Sequence, residues 1–160
     1  MLILALVNPK EEIIKNIREF RLRAQILEFT DTVETVSKAC RLSGESPNTI
    51  VKTLLMKVGG SDYIILIVRG DRRVDNIKLS RYLGQDVRLA TPNEVLEVVG
   101  VPVGAVSPLL SNVLRFRRLL DPKILEKEYI VCGGGLNTLV KIATEDLIKY
   151  LKPEVVDVFK

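Results

Sequence analysis

Thr49-Ile50-Val51-Lys52-Thr53-Leu54-Leu55-Met56-Lys57-Val58, then Gly59-Gly60, then Ser61-Asp62-Tyr63-Ile64-Ile65-Leu66-Ile67-Val68-Arg69 is the stretch that decides the fold class. Two β-rich runs flank a glycine pair, the pattern of a hairpin. The second run is apolar on both faces, which predicts a central strand covered from both sides. Paired hairpins interspersed with helices predict a mixed sheet or barrel with flanking helices, not a doubly wound parallel fold.

Upstream, Asn8-Pro9-Lys10-Glu11 has the form of a capping box with proline at the first helical position. Ile13, Ile14, Ile17 and Phe20 then share one helical face. Gln25 to Phe29 reads as a short strand. Asp31-Thr32-Val33-Glu34 opens a second helix, which runs to about Leu42 and ends at Ser43-Gly44. Downstream, Asp75 caps a helix through Tyr82 that Gly84 closes, and Val87 to Ala90 is a short strand. Thr91-Pro92-Asn93-Glu94 is a second capping box, and its helix stops at Gly100. Gly100 to Pro108 is loop. Val113 to Arg118 alternates like a strand, with Leu114 and Phe116 on one face and Arg115 and Arg117 on the other. Tyr129 to Cys132 and Thr138 to Ala143 are strands around Gly133-Gly134-Gly135. Thr144 caps a last helix to about Leu151, which Pro153 stops.

The chain has 160 residues, 47% of them hydrophobic and 28% charged, enough for one domain with its own core. Histidine is absent, so Ser-His-Asp triads, Cys-His pairs and His-ligated zinc are excluded. Cys40 and Cys132 lack metal or redox spacing, so no metal and no cofactor are expected, and with no disulfide legible the expectation is reduced thiols in a cytoplasmic protein. Met1 to Val7 is apolar but short, without the basic start or cleavage site of a signal peptide. The apolar runs are far shorter than a membrane span, so no membrane partner is expected. The net charge of +4 permits an anionic partner without naming one.

Lys52 shares a strand face with Ile50, Leu54 and Met56, all apolar. A lysine there either snorkels to water or holds its ammonium in a cleft where it meets an anion. Gly104-Ala105-Val106-Ser107-Pro108 is either a surface connection or a loop whose amides point at a substrate oxygen. Ser107 has no histidine to activate it as a nucleophile. The three glycines from Gly133 are either a hairpin turn or a place where backbone approaches a ligand closely. Basic residues cluster from Arg69 to Arg88, including Arg72 and Arg73, and again from Arg115 to Lys123. Each cluster is either a solvated face or a phosphate-contacting one.

Val51-Lys52-Thr53-Leu54-Leu55, Gly70-Asp71-Arg72-Arg73-Val74-Asp75, Gly104-Ala105-Val106-Ser107-Pro108 and Val131-Cys132-Gly133-Gly134, in this order, resemble the family of YbaK and the prolyl-tRNA synthetase editing domain. The resemblance covers about Gln25 to Leu151. It implies an α+β fold: a single domain with a mixed, β-barrel-like sheet surrounded by helices. Residues 1–24 are then an N-terminal helical extension and residues 25–160 the editing domain. It also implies hydrolysis of the ester bond of mischarged aminoacyl-tRNA, typically tRNA for proline carrying cysteine or alanine, by a free-standing factor working beside the synthetase. The implied partners are the aminoacyl-tRNA acceptor end and prolyl-tRNA synthetase.

By the same resemblance, Lys52 is the essential lysine that holds the terminal adenosine end. Gly104 and Pro108 bound a loop whose backbone, through Ala105, Val106 and Ser107, holds the carbonyl and the amino acid. Thr53 lines the pocket, Cys132 adjoins it beside Gly133 and Gly134, and Asn137 or Thr138 stands where some relatives have a histidine. Arg72 and Arg73, in the first basic cluster, are the residues expected to meet the tRNA if that face contacts phosphates. A non-catalytic module that binds tRNA or a synthetase on the same fold is the alternative. The two part on whether Lys52 and the Gly104 loop face one pocket.

Overall fold

The computed structural model describes residues 8–160. The stretch Met1 to Val7, with the signal-peptide question it raises, lies outside the described residues. Helix α1 (Pro9–Glu19) begins where expected, with the Asn8 side chain accepting from the Glu11 amide and Pro9 in the first turn. Its Ile13 is fully buried in the main apolar cluster. Asn16 is buried too, and its amide donates to the Leu109 carbonyl at 2.8 Å and to the Tyr150 hydroxyl at 3.2 Å. The N-terminal helix is therefore packed into the main core.

Strand β1 (Ala24–Glu28) follows, then helix α2 (Val36–Ser43), which ends on Gly44 in the left-handed conformation. This helix starts about one turn later than the sequence predicts. Thr35 supplies the cap, accepting from the Lys38 amide at 3.1 Å. Val33 is held out of the helix because its amide donates to the Leu136 carbonyl at 2.7 Å.

Strands β2 (Val51–Val58) and β3 (Asp62–Arg69) form the expected antiparallel hairpin, with Val51 opposite Arg69 and Val58 opposite Asp62. Helix α3 (Asn76–Leu83) is capped by Asp75 and ended by Gly84, and the short strand β4 is Val87–Leu89. Helix α4 (Pro92–Val99) carries the full reciprocal capping box between Thr91 and Glu94 and stops at Gly100.

The third quarter of the chain departs from the prediction. Ser111–Arg115 is a 3-10 turn, and the strand β5 is Arg117–Leu120. Parallel pairing with β3, from Ile64 opposite Arg117 to Ile67 opposite Leu120, selects this segment because it brings Leu119 and Leu120 into full burial. Strand β6 (Tyr129–Gly135) contains all three glycines, so they are not the turn, which falls at Leu136-Asn137 before β7 (Thr138–Ala143). The glycines serve close approach instead. A Cβ on Gly134 would lie 3.0 Å from Val140 Cγ2, and one on Gly133 would lie 3.2 Å from the Val106 carbonyl oxygen. Thr144 does not cap helix α5 (Thr144–Leu151) but is its first residue, its hydroxyl donating to the Lys127 carbonyl at 2.6 Å. A short strand β8 (Glu154–Val155), absent from the sequence reading, then pairs with β5.

These strands make an antiparallel sheet β1-β7-β6 and a mixed sheet β4-β2-β3-β5-β8. Central β3 sends Ile65 and Ile67 into one apolar cluster and Ile64, Leu66 and Val68 into another on the opposite face, as its two-sided apolar pattern requires. The α+β class with mixed sheets and flanking helices is as expected. Among the described residues the sheets meet at one isolated parallel bridge, Ile50 to Val131, and close no barrel.

Candidate active site

The site begins as a gap at the edge of β2. Ile50 accepts from the Gly70 amide at 2.7 Å on the β3 side, whereas Leu55 accepts from the Ala90 amide at 2.9 Å on the other. Alternation along an antiparallel strand therefore turns the peptide groups of Val51 and Thr53 to that second edge. Strand β4 borders the edge only from Met56 onward, and β6 touches it at Ile50. Between these points the edge opens into a cavity of about 310 Å³. Val33 to Val36 and Ala39 wall it on the α2 side. Val103, Gly104 and Val106 wall it from the loop, and Cys132, Gly133 and Leu139 from the small sheet.

Lys52 and the Gly104 loop thus face one cavity, the relationship that separates the two readings of the sequence. Lys52 is half-buried and has no ion pair among the described residues. Burial first, and then the positive charge of Arg73, hold its ammonium pKa below the ordinary lysine range, against the opposing pull of Asp71. A partly desolvated cation without a carboxylate partner is the local condition for binding an anion. Its neighbour Thr53 is only 9% exposed, and its Oγ1 is the single buried side-chain oxygen or nitrogen among the described residues without a hydrogen-bond partner. Such an orphan costs about 1–3 kcal/mol unless something in the cavity satisfies it.

Gly104 has a φ of +90°, the left-handed region that favours glycine, and a Cβ there would lie 2.7 Å from Glu34 Cβ. The amides of Gly104 and Val106 make no hydrogen bond within the described residues and belong to the two loop residues that line the cavity together with Val103. Ala105, Ser107 and Pro108 are buried behind this surface. Ser107 Oγ accepts from the Leu109 amide at 3.2 Å, so its hydroxyl shapes the turn and does not line the cavity. Cys132 lines the cavity but is fully buried, which pushes its thiol up to about 12 and keeps it neutral.

The other sequence candidates fall elsewhere. Gly134, Asn137 and Thr138 do not line the cavity. Asn137 sits in the β6–β7 turn, its carbonyl accepting from the Phe29 amide at 2.9 Å. Thr138 is buried, its Oγ1 3.4 Å from Asn137 Oδ1. Arg72 and Arg73 separate sharply. Arg72 pairs with Asp121 at 2.5 Å and Asp157 at 3.0 Å, whereas Arg73 is exposed and unpaired among the described residues. Much of the basic clustering is likewise neutralised internally: Arg69 by Asp71 and Glu126, Arg88 by Glu94, Arg117 by Glu154.

Sequence reasoning missed Glu34. Its place at the cavity follows from the late start of α2, and the signal was Thr35, a better-placed cap than Asp31. Hydrogen bonds from Thr32 and Lys38 hold the Glu34 carboxyl down to about 2. Among the described residues no cluster of His, Cys, Asp and Glu could hold a metal ion, and no helix is long and apolar enough to cross a membrane.

The aminoacyl-tRNA editing domain family matches residues 30–150. Proline–tRNA ligase of Thermotoga neapolitana is 38% identical over 106 residues, and that of Staphylococcus aureus 33% identical over 118 residues. These matches take in 66% and 73% of this chain but only 18% and 19% of the ligases. Among solved structures, a hypothetical protein is 30% identical with a TM-score of 0.84, covering 93% of this chain and 99% of its own. A protein described as a candidate trans-editing enzyme for prolyl tRNA synthetase is 25% identical with a TM-score of 0.84, covering 98% of this chain and 99% of its own. From the match over residues 30–150, the chain belongs to the aminoacyl-tRNA editing domain family.

Proposed function

We propose that this protein hydrolyses the ester bond of mischarged aminoacyl-tRNA, acting in trans in the cytoplasm beside prolyl-tRNA synthetase on tRNA for proline that carries alanine or cysteine. One observation carries the reading: Lys52, which has no ion pair among the described residues, and Gly104 and Val106, whose amides make no hydrogen bond there, line a single cavity. Lys52 holds a phosphate or hydroxyl of the terminal adenosine. The Gly104 and Val106 amides receive the ester carbonyl oxygen, and they stabilise its negative charge as water adds to the carbonyl carbon. The bond to the ribose oxygen then breaks; one proton of the attacking water goes to that oxygen, the other to solvent, and the free amino acid leaves as its carboxylate. Thr53 Oγ1 is enclosed as it stands, and a small shift of the cavity wall on binding brings it to the aminoacyl end.

The chain has no histidine, and the neutral Cys132 thiol is no nucleophile. Catalysis on this reading comes from orientation and preorganised amides acting on an activated ester, which together supply several kcal/mol. Arg73, the free cation beside Lys52, meets the phosphate backbone of the acceptor end. The test is release of amino acid from tRNA for proline charged with alanine, cysteine or proline, by wild type and Lys52→Ala. Selective release lost in the variant supports the reading. No release with tRNA still bound replaces it with the binding-module reading.

A further inference from the structure

Glu34 is the one carboxylate among the described residues that line the cavity, as Lys52 is the one cation among them. Its Oε1 accepts from Lys38 Nζ at 2.9 Å, and the same ammonium donates to Thr32 Oγ1 at 3.1 Å. Its side chain is 32% exposed, so it is reachable, and its Cβ stands 2.7 Å from where a Cβ on Gly104 would be. The carboxylate therefore sits beside the loop on one wall while Lys52 sits on β2.

Two roles are open to a carboxylate in such a place. As a general base it is poor, because the Thr32 and Lys38 contacts hold its pKa far below the operating pH. As an acceptor it keeps one oxygen to offer: Lys38 holds Oε1 and orients the carboxylate, and Oε2 has no hydrogen-bond partner among the described residues. An aminoacyl ester brings two charges to the site: the phosphodiester of its nucleotide end and the ammonium of its amino acid. Complementarity assigns the first to Lys52 and the second to Glu34. Covalent geometry agrees. The α-nitrogen lies two bonds from the ester carbonyl carbon, so a carbonyl held at the Gly104 and Val106 amides brings the ammonium beside the loop, where Glu34 stands.

We propose that Glu34 receives the α-ammonium group of the aminoacyl ester, so that the site takes amino acids with a free amine and rejects N-acylated ones. This rests on the loop holding the ester carbonyl, as proposed above. Because an exposed i, i+4 ion pair contributes little to stability, replacing Glu34 leaves the fold intact.

The experiment measures binding of 3′-deoxy-3′-(L-alanylamino)adenosine, a stable amide analogue of the ester, and of its N-acetyl derivative to the full chain. Wild type, Glu34→Gln and Glu34→Asp are compared, with thermal unfolding as a control. Wild type is expected to prefer the free amine at least about tenfold, the effect of a charged hydrogen bond. Glu34→Gln should lose most of that preference with the N-acetyl probe bound as before, and Glu34→Asp should restore part of it. Equal binding of both probes by wild type, a parallel loss for both in Glu34→Gln, or no binding of either overturns the proposal. Deacylation of alanyl-tRNA and N-acetylalanyl-tRNA for proline separates the two readings. If neither is hydrolysed while the probe preference still follows Glu34, the enzymatic reading fails and this one stands. If both are hydrolysed equally, this one fails alone.

Discussion

Gly133 of β6 lies so close under Val106 of the loop that a Cβ added to it would come within 3.2 Å of the Val106 carbonyl oxygen. The two residues are remote in sequence, yet this contact sets how far the loop can sink toward the cavity floor. Gly133→Ala should push Val106 outward by a few tenths of an ångström. Deacylation should fall at least about tenfold, roughly 1.4 kcal/mol of transition-state stabilisation, with little loss of thermal stability. Unchanged single-turnover rates would show that the loop amides do not hold the reacting carbonyl.

Gly104→Val meets two obstacles at once, a φ of +90° and the Cβ of Glu34. The loop must then move as a unit. Activity should be lost, and circular dichroism should still report a folded chain, because Gly104 itself lies at the cavity and outside the apolar clusters. Normal turnover would contradict the role given to the loop.

Thr53→Val replaces the orphan Oγ1 with a methyl group of like shape. Removing a buried, unsatisfied hydroxyl should leave stability unchanged or raise it by about 1 kcal/mol, while aminoacyl-end binding weakens. Denaturant unfolding and binding of the adenosine analogue measure the two effects separately. A stability loss without a binding loss would make Thr53 purely structural.

Lys52 gives the site a pH dependence whose sign can be worked out. Its folded pKa lies below its unfolded value, so the unfolded chain binds more protons between the two. Stability should therefore rise with pH on the alkaline side, through the window between the depressed value and the ordinary lysine value of 10.5. The same deprotonation removes the anion-binding charge, so KM should climb as stability does. Lys52→Met should flatten both trends and abolish most of the activity, read from unfolding and turnover between neutral and alkaline pH.

Arg72 and Arg73 are adjacent but should respond oppositely to charge reversal. Arg72→Glu would place a third carboxylate against Asp157 and the fully buried Asp121, and should cost about 3–5 kcal/mol of stability. Arg73→Glu should leave unfolding unchanged and weaken tRNA binding, more at low salt than at high. Salt titrations of binding and thermal melts of the two variants check this. Equal destabilisation by both would remove Arg73 from the tRNA surface.

The elements read correctly from sequence share a short range of action. The Thr91–Glu94 box, the Asp75 cap, the stops at Gly84 and Gly100 and the hairpin of β2 and β3 are each set by side chains a few residues apart, or by a pattern within one strand. Lys52 was visible as a candidate because a charge on an apolar strand face is anomalous wherever the strand ends up. The order of four motifs was enough to point to the family.

What the sequence left open was decided by partners far along the chain. Pairing with β3 placed β5 at Arg117–Leu120 over a local alternation that began earlier. Val140, Thr138 and Val106 required the glycines of β6, which local rules assign to a turn. Asp121 and Asp157 took Arg72 out of the basic surface, and the bond from Val33 to Leu136 delayed α2 and left Glu34 at the cavity. A sequence states which groups are present and how their nearest neighbours constrain them. Whether a charge is spent inside the protein or left for a ligand depends on distances between residues many tens of positions apart, and only the folded chain fixes those.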